Sequence, residues 1–198
     1  MTLQLRGRWA LLTALFISGL CSSQPNTQVC AACHGADGNS QIAGTPSIAG
    51  QPKLFIENQL ILFREGLRQS KVMEPVLKGM KDPEIIQLAQ HYSRLAARPV
   101  AQAPADQALL AQGRALAKKL RCGVCHVADF AGQNQVPRLA AQREEYLEAE
   151  MRAYRDGTRT GGDTIMAAAL YGVKDSEISA LAHFLSRLKD TSPKSRSP

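Results

Sequence analysis

The chain has 198 residues, 44% of them apolar and only 5% aromatic, with 24 basic and 17 acidic side chains. That length suits two small domains and no more, and leaves each one short of the core that side chains alone can build. The net charge of +7 is not gathered into basic clusters interleaved with aromatics, which argues against nucleic acid as a partner.

In chain order, the N-terminus reads as an export signal over residues 1–23. Arg6 and Arg8 form its basic region and residues 9–20 an apolar run of twelve, too short to span a membrane. Ser23 and Cys21 allow cleavage before Gln24, and Leu20 stands where a lipid-modified Cys21 would need a small neighbour. The mature chain keeps 22 basic and 17 acidic side chains, a net +5, which points to an acidic docking partner.

Next comes Cys30-Ala31-Ala32-Cys33-His34, which returns later as Cys122-Gly123-Val124-Cys125-His126. C-x-x-C-H is the attachment signature of c-type haem. Thiols three residues apart lie about one helical turn from each other and can bond both vinyl groups on one haem edge. The adjacent His falls on the same face and can ligate the iron. Four cysteines could instead form two disulfides, a zinc site or redox C-x-x-C pairs. The 88 residues between Cys33 and Cys122 exceed a zinc ribbon's spacing, no βαβ pattern surrounds the motifs, and none of the three requires a His after each second Cys. Two covalently bound haem c groups are therefore expected.

The motif belongs to an internal repeat. Subtracting 92 from the second motif gives the first; residues 136–142 map to 45–51 and 154–157 to 63–66 with an offset of 91, and 186–188 to 93–95 with 93. A period near 90 is a domain rather than a solenoid unit. This gives domain 1 over 24–98, a Pro-containing linker over 99–105 that sets the separation of the haems, domain 2 over 106–190, and a Ser/Pro/Lys tail over 191–198. Each repeat predicts a Gly-rich loop (35–50 and 127–141), a helix (52–65 and 143–156) ended by Gly66 or Gly157, and a last helix capped by Asp82 or Asp175. No stretch alternates well enough for a strand, so the fold class is all-α. One feature breaks the symmetry: residues 106–121 form an amphipathic helix before the second motif, with Asp106 as N-cap, whereas cleavage at Gln24 leaves six residues before the first. Either the first domain does without this helix, which we favour, or the apolar run 9–20 is retained as an anchor or helix.

The second axial position decides carrier against enzyme. His91 maps to Phe184 and His183 to Gln90, Met80 to Val173 and Met151 to Leu60; these four read as packing residues. Only Met73 and Met166 map to each other, in the loop or first turn ahead of the last helix. The pairs His34/Met73 and His126/Met166 are the expected iron ligands. Pro46 and Pro137 also recur, and their carbonyls can accept from the ligand imidazoles; a plain loop turn is the alternative. Of the recurring arginines, Arg64 and Arg155 are candidates for pairing haem propionates, and Arg68 and Arg159 read as a solvated helix face.

On residues 33–39 (Cys-His-Gly-Ala-Asp-Gly-Asn), 48–51 (Ile-Ala-Gly-Gln), 63–66 (Phe-Arg-Glu-Gly), 162–166 (Gly-Asp-Thr-Ile-Met) and the Lys-Asp-x-Glu-Ile helix starts, the chain resembles the cytochrome c4 family over about residues 28–190. The resemblance implies two tandem class I cytochrome c domains, each wrapped around one haem c, with His34/Met73 and His126/Met166 as axial pairs. It further implies a periplasmic electron carrier between a quinol–cytochrome c reductase and a terminal oxidase. A cytochrome subunit of a periplasmic dehydrogenase complex would share this chemistry. A haem peroxidase would need an open iron position, against which two matched Met residues argue. The partners expected are redox proteins, not small-molecule substrates.

Overall fold

The computed structural model describes residues 25–99 and 103–189. The signal peptide expected over 1–23 and the tail over 191–198 lie outside the described residues. Eight α-helices follow in order: α1 Gln28–His34, α2 Lys53–Arg64, α3 Met73–Leu77, α4 Asp82–Arg94, α5 Gln107–Lys119, α6 Glu144–Arg155, α7 Thr164–Ala169 and α8 Asp175–Ser186, with a 3₁₀ turn Cys122–Val124 after α5. Among the described residues the only β feature is an isolated bridge between Gln133 and Val136, so the fold is all-α.

The two long helices of each repeat form where expected. Pro52 caps α2, and Gly66 and Gly157 take the positive φ that ends α2 and α6. Asp106 caps α5, its Oδ1 accepting from the backbone amides of Ala108 (2.8 Å) and Leu109 (3.1 Å). The last helices start one residue earlier than expected. Lys81 and Lys174 are the caps, and their amides donate to Glu84 and Glu177, 2.9 Å each. Asp82 and Asp175 fall in the first turn instead, where Arg64 and Arg155 reach them at 2.6 and 2.5 Å. Met73 and Met166 do not lie in loops: each sits in a short helix of its own, α3 or α7.

In the second half α5 crosses α8 and closes the core. The crossing needs Gly113, since a Cβ there would run into the Ala180 carbonyl and the Phe184 Cβ. Leu116, Leu147, Met151, Ile178, Leu181, Phe184 and Leu185 are buried together beneath it. The first half packs α2 against α4 around Ile56, Leu88, Ala89 and Tyr92, with Met80 and Cys30 against them. Met151 is buried within the second cluster and Met80 packs against the first.

Candidate haem sites and the interface between them

In the first half the motif occupies α1, so Cys30 and Cys33 stand one turn apart and His34 ends the helix. In the second, α5 stops at Lys119. Arg121 takes the left-handed conformation (φ 57°), and Cys122–Val124 forms a 3₁₀ turn. The His126 amide still bonds the Cys122 carbonyl at 3.1 Å, which preserves the i to i+4 geometry between thiol and imidazole. None of the four cysteines is paired with another, so the disulfide reading fails, and no cluster among the described residues suits a metal ion held by side chains alone.

Both imidazoles are held in the form that metal ligation needs. His34 and His126 are buried, and each Nδ1 lies 2.8 Å from a proline carbonyl, Pro46 or Pro137. A carbonyl can only accept, so Nδ1 carries the proton and Nε2 is left as the donor atom for a metal. Burial pushes both imidazoles below their ordinary pKa, against the opposing effect of the Pro46 and Pro137 carbonyls, which favours the neutral ring that ligation needs. Burial also pushes the Cys30 and Cys122 thiols up. Two thiols and one oriented neutral imidazole per half are the donor set that a covalently attached haem requires. The motif backbone is tied down as well: Ser40 Oγ donates to the Cys33 carbonyl (2.9 Å) and Gln133 Nε2 to that of Cys125 (3.3 Å). Met73 and Met166 are both half-buried. The Met73 amide donates to Ser70 Oγ (3.1 Å), and Asp163 caps α7 through the Ile165 amide (2.7 Å).

The recurring arginines serve the protein itself. Arg64 bridges the Met80 carbonyl and Asp82, and Arg155 bridges the Val173 carbonyl and Asp175. Each fastens the end of one helix to the start of the last. Arg68 and Arg159 are not solvated: their side chains are 10% and 6% exposed. They meet across the interface between the halves. Arg68 donates to Gln59 (2.6 Å), to Tyr146 Oη (3.2 Å) and to Glu150 (2.8 Å). Arg159 donates to Glu150 (2.6 Å) and to Gln59 (3.0 Å). Gln59 and Glu150 are repeat equivalents, so each arginine grips its own helix and its counterpart's. Each guanidinium also stacks over a ring of its own half at 4.5 Å, Phe63 or Tyr154.

The same approximate two-fold governs the centre of the interface. Gln51 donates to the Arg138 carbonyl (3.0 Å) and accepts from its amide (2.9 Å). Gln142, its equivalent, does the same to Ser47, the equivalent of Arg138, at 2.9 and 2.7 Å. Buried amide–backbone pairs contribute about 1 kcal/mol each. The separation of the two sites is therefore set by a packed interface rather than by the linker, as the sequence had suggested. A signal for this was present: Gln59/Arg68 and Glu150/Arg159 recur at the same nine-residue spacing.

The family profile described as Cytochrome c matches residues 110–189. A thiosulfate dehydrogenase electron acceptor of Thiomonas intermedia (strain K12) is 32% identical over 189 residues, covering 89% of this chain and 87% of that protein. A cytochrome c4 of Thiocapsa roseopersicina is 32% identical over 171 residues, 81% and 87% of the respective chains. The crystal structure of reduced recombinant cytochrome c4 from Pseudomonas stutzeri superposes with a TM-score of 0.74 at 29% identity, covering 82% of this chain and 94% of that one. Twin C-x-x-C-H sites on two like helical domains, each imidazole oriented by a proline carbonyl, place this chain in the cytochrome c4 family: it is a dihaem electron-transfer cytochrome with covalently bound haem c, a carrier of electrons and not an enzyme.

Proposed function

We propose that the chain works in the periplasm, taking electrons from a quinol–cytochrome c reductase and passing them to a terminal oxidase. The domains run over 24–98 and 106–190, joined by 99–105. Cys30 and Cys33 hold the first haem and Cys122 and Cys125 the second, with His34/Met73 and His126/Met166 as axial pairs. The observation that carries the reading is the matched pair of neutral imidazoles with Nδ1 bound to Pro46 and Pro137. Haem supplies a one-electron couple, and thioether ligation raises its potential. The chain's own groups orient the ligand, keep the imidazole unprotonated and fix the distance between sites, which is what outer-sphere transfer needs. The likeness to a thiosulfate dehydrogenase electron acceptor favours a second reading, in which the donor is a periplasmic dehydrogenase. The axial assignment predicts that the Met-to-iron charge-transfer band of the oxidised protein falls by about half in Met73→Ala and in Met166→Ala. It stays whole in Met80→Leu and Met151→Leu, and its loss in Met80→Leu would mean the wrong sulfur was chosen. Fast oxidation by membranes holding a terminal oxidase, with little carbon monoxide binding to the reduced protein, fits the carrier; rapid carbon monoxide binding with peroxide turnover would replace it.

A further inference from the structure

The first haem site carries a polar group that the second lacks. Tyr92 on α4 is 2% exposed and packed among Ile56, Leu88 and Ala89, with the haem-attaching Cys30 against the same cluster. Its backbone is fixed, since its carbonyl accepts from the amides of Gly50 (3.0 Å) and Leu95 (3.2 Å). Its ring edge leaves no room at Gly38, where a Cβ would sit 3.0 Å away. Yet its Oη, fully buried, has no hydrogen-bond partner. Buried hydroxyls rarely go unpartnered, because desolvating one without a partner is costly. The polar neighbour it does have is the Cys30 thiol. Burial, and then that thiol, push the phenol above its ordinary pKa, so the O–H keeps its proton and remains a donor.

The equivalent position in the second half is Leu185, equally buried, and Cys122 packs there among apolar side chains. A cysteine that has become a haem thioether has no S–H left and can only accept. A neighbouring O–H would then find an acceptor at the edge of the porphyrin, and in donating to it would turn the positive end of its dipole toward the conjugated ring. Such a dipole stabilises the added electron, and hydrogen bonding around a haem is one of the levers by which a protein sets potential.

We propose that the Tyr92 hydroxyl donates to the Cys30 thioether sulfur and raises the reduction potential of the first haem relative to the second. The proposal rests on haem attachment at Cys30. The two halves are otherwise alike in the proline bond to the ligand imidazole, so Tyr92 against Leu185 is a difference placed directly at the thioether edge.

The test is a redox titration of the full dihaem protein followed by paramagnetic NMR, with the haem-methyl resonances of each centre assigned through contacts within their own half. Tyr92→Phe removes one oxygen and keeps the ring; Tyr92→Leu recreates the second site. Both should lower the first haem's midpoint and leave the second's in place. Urea unfolding of the same variants separates this from a packing role, which would move stability without moving one midpoint selectively. A first-haem midpoint that stays fixed, or two midpoints that move together, overturns the proposal. A protein with no haem on Cys30, read from the mass of its haem peptides, would instead defeat the attachment reading itself.

Discussion

The two halves fold to the same plan but finish it differently. In the second, α8 shows Ala180, His183 and Phe184 to α5, and all three are buried. Their equivalents on α4 are Gln87 and Gln90, both exposed, and His91, half-exposed, with Ile86 beside them at 45%. Gln and His tolerate water where Phe would not, so this face of α4 suits solvent. Among the described residues the contiguous buried apolar cluster of the second half has twelve members and that of the first has four. Among the described residues no helix covers this face of the first half; polar side chains stand there in place of apolar ones, and the half depends correspondingly more on its haem and on the interface. The second half has gone the other way. His183 accepts from the Asp106 amide (3.0 Å) and holds Glu144 (3.0 Å), while Arg187 binds Glu144 and the Ala103 carbonyl (3.2 Å). The chain entering α5 is thereby fastened to the helices it covers.

The largest effect should come from withdrawing each haem in turn. Cys30→Ala with Cys33→Ala is expected to unfold the first half, seen as loss of its helical circular dichroism and rapid proteolysis between residues 25 and 99. Cys122→Ala with Cys125→Ala should leave α5 against α8 as a compact, partly protected unit, because that contact is made by side chains alone. Equal collapse in both would show that the smaller cluster is no handicap. The interface comes next. Glu150 answers two buried guanidiniums, whereas its equivalent Gln59 is neutral. Glu150→Ala leaves both arginines unpaired and should cost about 3 kcal/mol in urea unfolding. Gln59→Ala, which removes no charge, should cost about 1 kcal/mol. Equal costs would mean that the clamp works by packing and not by charge.

How much of this the sequence disclosed follows from the range of each signal. The haem motifs, α2, α4, α6 and α8 and the proline carbonyls are local or duplicated, and duplication made each reading twice over. The caps at Lys81 and Lys174 were missed by one residue because Asp82 is a good cap by type, while its carboxylate is taken by an arginine eighteen positions away. The α3 and α7 helices are too short to show a period. Arg68 and Arg159 were misread as solvated because nothing along a helix reveals that its charged face meets the equivalent face of another domain. The Gln51 and Gln142 exchange is of the same kind. Tyr92 falls at helical spacing from Ile85, Leu88 and Ala89, so along the chain it is one more apolar position of a stripe, and only its burial beside Cys30 distinguishes it.

The smallest effect concerns the surface, and it is where the halves differ in charge. Residues 107–128 contain Arg114, Lys118, Lys119 and Arg121 and no acid. All four are exposed, and none forms an ion pair among the described residues. They border Val124, 64% exposed, and the exposed Cys125. The flanking acids are engaged, Asp106 in capping α5 and Asp129 in holding the Ala131 amide at 3.2 Å. In the first half Asp37, four residues after Cys33, is paired with Arg98 at 3.6 Å. Steering by unpaired surface charge acts on encounter and is screened within about 8 Å at physiological salt. Reversing Lys118 and Arg121 to Glu should therefore slow oxidation by an acidic partner about tenfold at low salt, equivalent to about 1.4 kcal/mol. The rate should converge on that of the unmodified protein at high salt, with unfolding stability changed by no more than about 0.5 kcal/mol. Lys78→Glu in the first half should leave the rate as it is. Stopped-flow oxidation by terminal-oxidase membranes over a salt series measures all of these. If Lys78→Glu slows the reaction and the double reversal does not, electrons leave through the first half, and the basic face of α5 belongs to the donor.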